Sequence, residues 1–549
     1  MAAMQLKKIL LRHRTAFIFT LYLILLLFIE CSCKYHCGIG KSLMNPFTQQ
    51  LLPILAVAGI GFVLPGKWVQ IYCSVVSTAG TLITAASLYS FGVFRLPLTG
   101  DIFMVLSASS PGEIREFTRV FTNWKWFLLV AFFLLINGVM LCLYRQKKMP
   151  FAHSGWILAA ILILPALLNG GRLIAKGEPE ELYDRNTFSR LAAGYFIYQE
   201  KMGLIADMMT TPELPQGIRR LNPDKMIGVL VIGESASRRH WGLYGYFRNT
   251  TPEMEKIRPE LLIFDDVISP YAHTVESCRM TLSTADWDTP EDLRYTAFQV
   301  LEEAGFNVIY LSNQYRWGKY DGPVNLLFSS SDERYYFRSQ TGGAPDGVML
   351  PKLFKEIDEA VKPTLLVVHL MGSHTDYSHR YPEEFTFWKQ LSAENQQLPP
   401  EVAANVNAYD NSIAYTDFLL GQIADKLSRE KYPAYLMYFS DHGDTPDTKG
   451  GRSGNSEYPG CYEIPMIFYG NSAYCRYFPE FIKNARSNQS KASGGDYLDN
   501  SIISAAQVTF DGFEHGKDLF SPQYRAPQLR TLGEGRKIYT KGMPDPKKR

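Results

Sequence analysis

Apolar and polar positions divide this chain into two stretches that must be read differently. Up to about residue 170 apolar residues run on with few interruptions, over 15–29, 48–64, 69–94, 124–144 and 156–168. A membrane-spanning helix needs about 20 apolar residues, so five spans are expected, the fifth short and interrupted by Pro165. No small-residue cleavage site follows the first, and further spans do, so it reads as an anchor. Lys7, Lys8, Arg12 and Arg14 precede the first span, and Arg145, Lys147 and Lys148 lie between the fourth and fifth. Basic residues mark the cytoplasmic side, and an odd number of spans then carries everything after about Asn169 to the opposite side.

From 177 to 222 apolar and charged residues alternate with helical periodicity, as in Leu182 to Tyr198. That pattern fits an amphipathic helix on the membrane interface and equally a linker helix packed on a soluble domain. From Pro223 onward short apolar runs (227–232, 307–311, 364–370, 435–439) alternate with helical segments (290–304, 406–427). The alternation predicts a largely parallel sheet covered by helices on both faces. The expected plan is therefore a transmembrane domain of about five helices (1–176), bridging helices (177–222) and an α/β/α sandwich (223–549).

Composition changes this picture little. Across 549 residues the formal charge is +2, which gives no reason to expect nucleic acid. Eight cysteines are too few for a disulfide scaffold; Cys461 and Cys475 could close a loop, or all could be free thiols.

In a sheet of this kind ligands bind beyond the carboxyl ends of the strands. There the sequence places Glu234, after the apolar run 226–233; His369 to His374; and Asp441-His442, after 434–440. Two carboxylates, an imidazole and a hydroxyl such as Thr274 would suit zinc, which takes about four nitrogen, sulfur or oxygen ligands and lowers the pKa of a bound hydroxyl. Taken singly these residues have plainer roles. A strand-end glutamate is usually solvated, a loop threonine usually caps a turn, and His369 suits a packed structural histidine better than a ligand.

Five motifs in fixed order resolve the ambiguity: Gly233-Glu-Ser-Ala-Ser-Arg with Leu243 to Pro252; Tyr271-Ala-His-Thr-Val-Glu276; His369 to His374; Tyr409-Asp-Asn-Ser-Ile413; and Ser440-Asp-His-Gly443. With them the whole chain resembles the membrane phosphoethanolamine transferases of the alkaline phosphatase and sulfatase superfamily, most closely those acting on the lipopolysaccharide core. The resemblance implies a sulfatase-like catalytic domain at the periplasmic face of a bacterial inner membrane. It implies zinc held by Glu234, Thr274, Asp441 and His442, with Thr274 as nucleophile, phosphatidylethanolamine as donor and lipopolysaccharide (core heptose or lipid A) as acceptor. His374 matches a histidine placed near the transferred phosphate or a second zinc. Asn313 and Gln314 are candidates for contact with ethanolamine or sugar. Glu276, with Arg279, either orients Thr274 or caps a helix, and Tyr409 and Asp410 read as architectural.

Two departures from the family pattern stand out. No histidine lies between His442 and His515, where lipid A-modifying members have one before an Ile-Pro or Val-Pro pair. Arg452, Glu457 and Glu463 are the nearby groups that could replace it. Only Cys278 lies near Thr274, where many relatives have paired cysteines. Three other functions remain open at this level: a phosphoglycerol transferase, a phosphodiester hydrolase, and a membrane scaffold with a vestigial site.

Overall fold

The computed structural model describes residues 13–36, 44–65, 67–93, 122–144, 153–175, 187–221, 225–315, 323–339, 343–390, 398–447, 458–533 and 537–544, with a few isolated positions between them. The chain forms two compact units, one of residues 1–105 and 121–200, the other of 106–120 and 201–549.

The first unit is helical: α1 (Arg14–His36), α2 (Met44–Val63), α3 (Lys67–Val93), α4 (Trp124–Tyr144), α5 (His153–Ala175) and the start of α6 (Thr187–Thr210). Of the five expected spans, α1, α3 and α4 are long and apolar enough to cross a membrane. Helices α2 and α5 have 20 and 23 residues and contain Pro53 and Pro165; 50–63 and 154–169 are apolar among their described residues. Inside the unit, polar side chains pair with one another: Tyr22 with Thr81 (2.7 Å) and Ser77 with Tyr144 (2.7 Å). In an apolar surrounding each would otherwise be left unbonded at a cost.

The second unit is built on a seven-stranded mixed sheet of β1 (Ile227–Gly233), β2 (Leu261–Ile263), β3 (Asn307–Tyr315), β4 (Glu333–Arg338), β5 (Thr364–His369), β6 (Ala434–Ser440) and β7 (Met466–Gly470). Its order is β2-β7-β6-β1-β5-β3-β4. The five strands from β6 to β4 are parallel, and β7 runs antiparallel to both β6 and β2. Both faces are covered, and the strand period of two explains how. Ile227, Val229 and Val231 of β1 pack on one face with Leu353 and Ile357 of α9 (Leu350–Glu359) and Tyr409, Ile413, Leu420 and Leu427 of α10 (Pro400–Ser428). Leu230 and Ile232 point the other way, to Phe298 and Leu301 of α8 (Ala297–Glu303) and Ile502 and Ile503 of α11 (Leu498–Ala505).

Helix α8 is shorter than the apolar pattern from 290 suggests. It starts where Thr296 and Gln299 form a capping box, the Thr296 hydroxyl accepting from the Gln299 N–H and the Gln299 side chain from the Thr296 N–H. The described cysteines are all free, so Cys461 and Cys475 do not close a loop. Cys461 is buried beside Thr445, while the Cys475 thiol donates to Gly470 O (3.3 Å).

Candidate active site at the ends of β1 and β6

Strands β1 and β6 are parallel neighbours, with Gly233 opposite Ser440. The residues that follow them, Glu234 and Asp441-His442, therefore emerge side by side. Ser235 turns into the left-handed region (φ 58°), an uncommon and strained conformation for a non-glycine residue. Its strain is held by bonds on all sides. Ser235 N–H donates to Asp441 Oδ1 (3.1 Å), the Tyr409 hydroxyl to Ser235 O (2.6 Å), and Ser237 N–H to the same hydroxyl (2.8 Å). Tyr409 thus has the architectural role its motif suggested. Asp410 beside it accepts from His240, Tyr246 and Arg248 and braces the same segment.

Thr274 arrives from elsewhere, as the first residue of helix α7 (Thr274–Leu282). Its hydroxyl donates to Glu234 Oε2 (3.1 Å) and lies 3.4 Å from His442 Nε2. His442 Nε2 is 3.3 Å from Glu234 Oε1 and 3.5 Å from Asp441 Oδ2. Among the described residues Glu234, Asp441 and His442 are the one group of three whose possible ligand atoms lie within 4.8 Å of one another. All three are about 1% exposed.

The electrostatics are unbalanced. Burial alone would raise the Glu234 carboxyl, but the hydrogen bond and charge of His442, with help from His374, hold it well below the usual carboxylate range. Burial, reinforced by repulsion from Glu234, pushes the Asp441 carboxyl well above the usual carboxylate range. Burial opposes charge on His442, yet Asp441 and Glu234 override it and push the imidazole up to about 10. Two carboxylates in one dry pocket cannot both ionise freely unless a cation joins them.

The residues present fit a metal ion. Asp441 Oδ2 is buried with no hydrogen-bond partner. His442 Nδ1 lies 2.8 Å from Gly443 O; because a carbonyl only accepts, Nδ1 carries the proton and Nε2 is the ligating nitrogen. Two carboxylates, one imidazole nitrogen and one hydroxyl form a zinc-type donor set.

The remaining sequence candidates separate into three groups. His374 and Gln314 border the cluster. His374 is close enough for its charge to act on Glu234. The Gln314 amide donates to Leu370 O (2.5 Å) and lies 3.4 Å from Glu234 Oε2. Asn313 does not face the site. It is fully buried, and its amide donates to Asp346 Oδ1 (2.7 Å) and Ala344 O (3.0 Å). Glu276 is not open to substrate either, because its two oxygens accept from Lys201 (2.9 Å) and Arg279 (2.8 Å). Burial would raise its carboxyl, and these two cations instead bring it down to about 2. His369 is a packed histidine, 2.9 Å from the Tyr310 hydroxyl and lowered by burial to about 4.

Of the groups that could stand in for the missing histidine, Arg452 and Glu457 lie outside the described residues. Glu463 is occupied by Arg239 Nε (2.6 Å) and the Tyr539 hydroxyl (2.6 Å).

Sequence reasoning missed several supporting groups. Asp346 accepts the N–H groups of Met371 and Gly372 (2.9 and 2.8 Å) and shapes the loop that leads to His374. Gly372 sits at φ +48°, where a Cβ would come within 2.8 Å of Glu234 O; only glycine lets the two loops touch. The Ser277 hydroxyl donates to Asp441 O (2.5 Å) and ties α7 to the ligand loop. None of these has a local signature, since each partner is far away in sequence.

Fold and site together define a class. Residues 227–493 match the sulfatase family, and this part of the chain is a sulfatase-family domain. The chain is similar to the phosphoethanolamine transferase EptC of Escherichia coli strain K12, 23% identical over 502 residues that cover 84% of each chain. The crystal structure of the periplasmic domain of the E. coli EptC in complex with zinc is 25% identical, covers 59% of this chain and 96% of its own, and superposes with a TM-score of 0.54. The integral membrane lipooligosaccharide phosphoethanolamine transferase A from Neisseria meningitidis is 19% identical, covers 93% of this chain and 98% of its own, and shares the fold with a TM-score of 0.68.

Proposed function

We propose that this chain is a membrane-anchored, zinc-dependent phosphoethanolamine transferase that moves phosphoethanolamine from phosphatidylethanolamine to a lipopolysaccharide acceptor, core heptose or lipid A. In this reading residues 1–176 hold the chain in the bacterial inner membrane, 177–222 bridge, and 223–549 act in the periplasm at the leaflet surface where the donor headgroup lies. The observation that carries the reading is the convergence of the Thr274 hydroxyl on Glu234 and His442 beside the orphaned Asp441 Oδ2. The names of the relatives and the zinc complex of the E. coli domain support the same assignment.

Glu234, Asp441, His442 and Thr274 would hold the zinc, which when bound lowers the pKa of the threonine hydroxyl and offsets charge on the phosphoryl oxygens. Glu234 accepts the Thr274 hydroxyl hydrogen bond and so orients the oxygen toward an incoming phosphorus. In the first half-reaction the Thr274 Oγ1–P bond forms, the P–O bond to diacylglycerol breaks, and the alcohol leaves with a proton. In the second, an acceptor hydroxyl attacks the same phosphorus, loses its proton, and Thr274 regains one. Division into two steps lets a lipid and a bulky glycan use one pocket in turn. His374 and Gln314, at the rim, are placed to meet the phosphoryl oxygens or the ethanolamine. A complete ligand set speaks against the scaffold reading, and the choice among phosphoethanolamine, phosphoglycerol and water rests on chemistry at that rim.

Mass spectrometry of lipopolysaccharide from a host lacking its own transferases tests the proposal. The wild-type chain is expected to add a phosphoethanolamine increment that Thr274→Ala does not. A phosphoglycerol increment, or unmodified lipopolysaccharide with free phosphoethanolamine released, would replace the proposal with one of the other two reactions.

A further inference from the structure

Thr274 is the first residue of α7, so the direction of that helix decides where its hydroxyl falls. At its start His273 is extended (φ −149°, ψ 151°) and its side chain makes no cap. Cys278, Met280 and Leu282 seat the helix in the core, and three polar tethers further along add to that packing. Two of them are local to the catalytic fold, the Ser277 hydroxyl on Asp441 O (2.5 Å) and Arg279 Nη1 on Pro290 O (2.6 Å). The third comes from α6. Lys201 Nζ donates to Glu276 Oε1 (2.9 Å) while Glu276 Oε2 accepts from Arg279 (2.8 Å). The Glu276 side chain is 2% exposed and that of Lys201 17%. Helix α6 is itself fixed there, because Ile205 and Met208, one and two turns on from Lys201, are buried in the core.

We infer that Lys201 is a positioning residue for the nucleophile, which through Glu276 sets the roll of α7 and hence the place of the Thr274 hydroxyl against Glu234 and His442. The inference rests on the proposed transferase reading. Glu276 lies two residues from Thr274 and Lys201 seventy-three before it, so the contact joins the helix that leads into the catalytic unit to the reacting oxygen. A nucleophile displaced by about 1 Å loses up to about a hundredfold in rate. Ser277 and Arg279 remain as tethers, so a loss of about tenfold is expected when Lys201 alone is removed.

The test uses the full-length chain in mixed micelles of detergent and phosphatidylethanolamine. It compares Lys201→Met, Lys201→Arg, Glu276→Gln and the Lys201→Met/Glu276→Gln double variant by single-turnover loading of Thr274 and by steady-state transfer. Lys201→Met is expected to lower the loading rate and kcat about tenfold. KM for the lipid should stay within about twofold, bound zinc should be unchanged, and Lys201→Arg should recover most of the rate. Glu276→Gln should lose rate in parallel, and the double variant should be little worse than either single one, which keeps the test sound should one variant fold poorly. Unchanged loading by Lys201→Met with an active wild type overturns the inference alone. So does a rise in KM at constant kcat, which would make Lys201 a direct contact to the anionic donor. A wild-type chain that never loads phosphoethanolamine overturns the transferase reading and this inference with it.

Discussion

The ends of β1 and β6 and the ends of β3 and β5 occupy the same edge of one parallel sheet, and both carry polar residues, yet they do different work. After β1 and β6 come Glu234, Asp441 and His442, whose donor atoms face one another and leave Asp441 Oδ2 without a hydrogen bond. At β3 and β5 come Asn313, whose amide nitrogen donates to Asp346 and Ala344, and His369, whose Nδ1 lies 2.9 Å from the Tyr310 hydroxyl. Position at a strand end therefore does not suffice for a site in this fold. An unsatisfied buried atom does not separate the two, since Asn313 Oδ1 and His369 Nε2 also lack a hydrogen-bond partner; what sets the ends of β1 and β6 apart is unbalanced charge, two buried carboxylates facing one imidazole.

The comparison breaks most sharply at Thr274 and the residues proposed to hold zinc. Thr274→Ala is expected to lower transfer by at least about a thousandfold with the fold intact, measured as phosphoethanolamine moved per chain. Asp441→Asn should weaken zinc binding by more than about a hundredfold, read by metal competition and by loss of the thermal shift that zinc gives the wild type. Gly372→Ala tests the point where the two edges meet. A methyl group at φ +48° against the Glu234 carbonyl should cost about 1–3 kcal/mol and lower kcat by displacing Glu234.

Substitutions at the β3 and β5 ends should alter stability and leave the chemistry largely alone. Asn313→Ala removes a buried bond to Asp346 and should cost about 1–2 kcal/mol in unfolding while kcat stays within about threefold. His369 sharpens the contrast through pH. Its folded-state pKa is lowered from 6.5 to about 4 by burial, so as pH falls the unfolded chain takes up the proton first. Stability is therefore complete above about 6.5 and is lost as pH drops toward 4. A His369→Phe chain should have a flatter acid limb between those values in denaturant titrations, with the zinc affinity of the wild type.

Legibility followed the range of the interactions. The strands were plain from their apolar runs, and with them the places of Glu234 and Asp441-His442, because a strand-end carboxylate needs only local pattern to be noticed. That these two ends are neighbours depends on the order β6-β1-β5, which no periodicity encodes, and Thr274 was recognisable only through its motif. The surroundings of Asn313 and Glu276 were not legible for a related reason. A polar side chain at the right edge looks available until its distant partners are known, and Asp346, Lys201 and Arg279 took those places. The first unit was legible as helix: its five apolar runs fall on α1 to α5, of which α2 and α5 have 20 and 23 residues and contain Pro53 and Pro165.

The central claim is that Thr274 becomes covalently loaded at the β1–β6 edge. Peptide mass spectrometry of the full-length, zinc-supplied chain after incubation with phosphatidylethanolamine, without acceptor, tests it most directly. The account predicts phosphoethanolamine on the peptide containing Thr274, released when acceptor is added and absent from Thr274→Ala. Transfer that proceeds with no adduct on Thr274, or with the adduct on another residue, would contradict it.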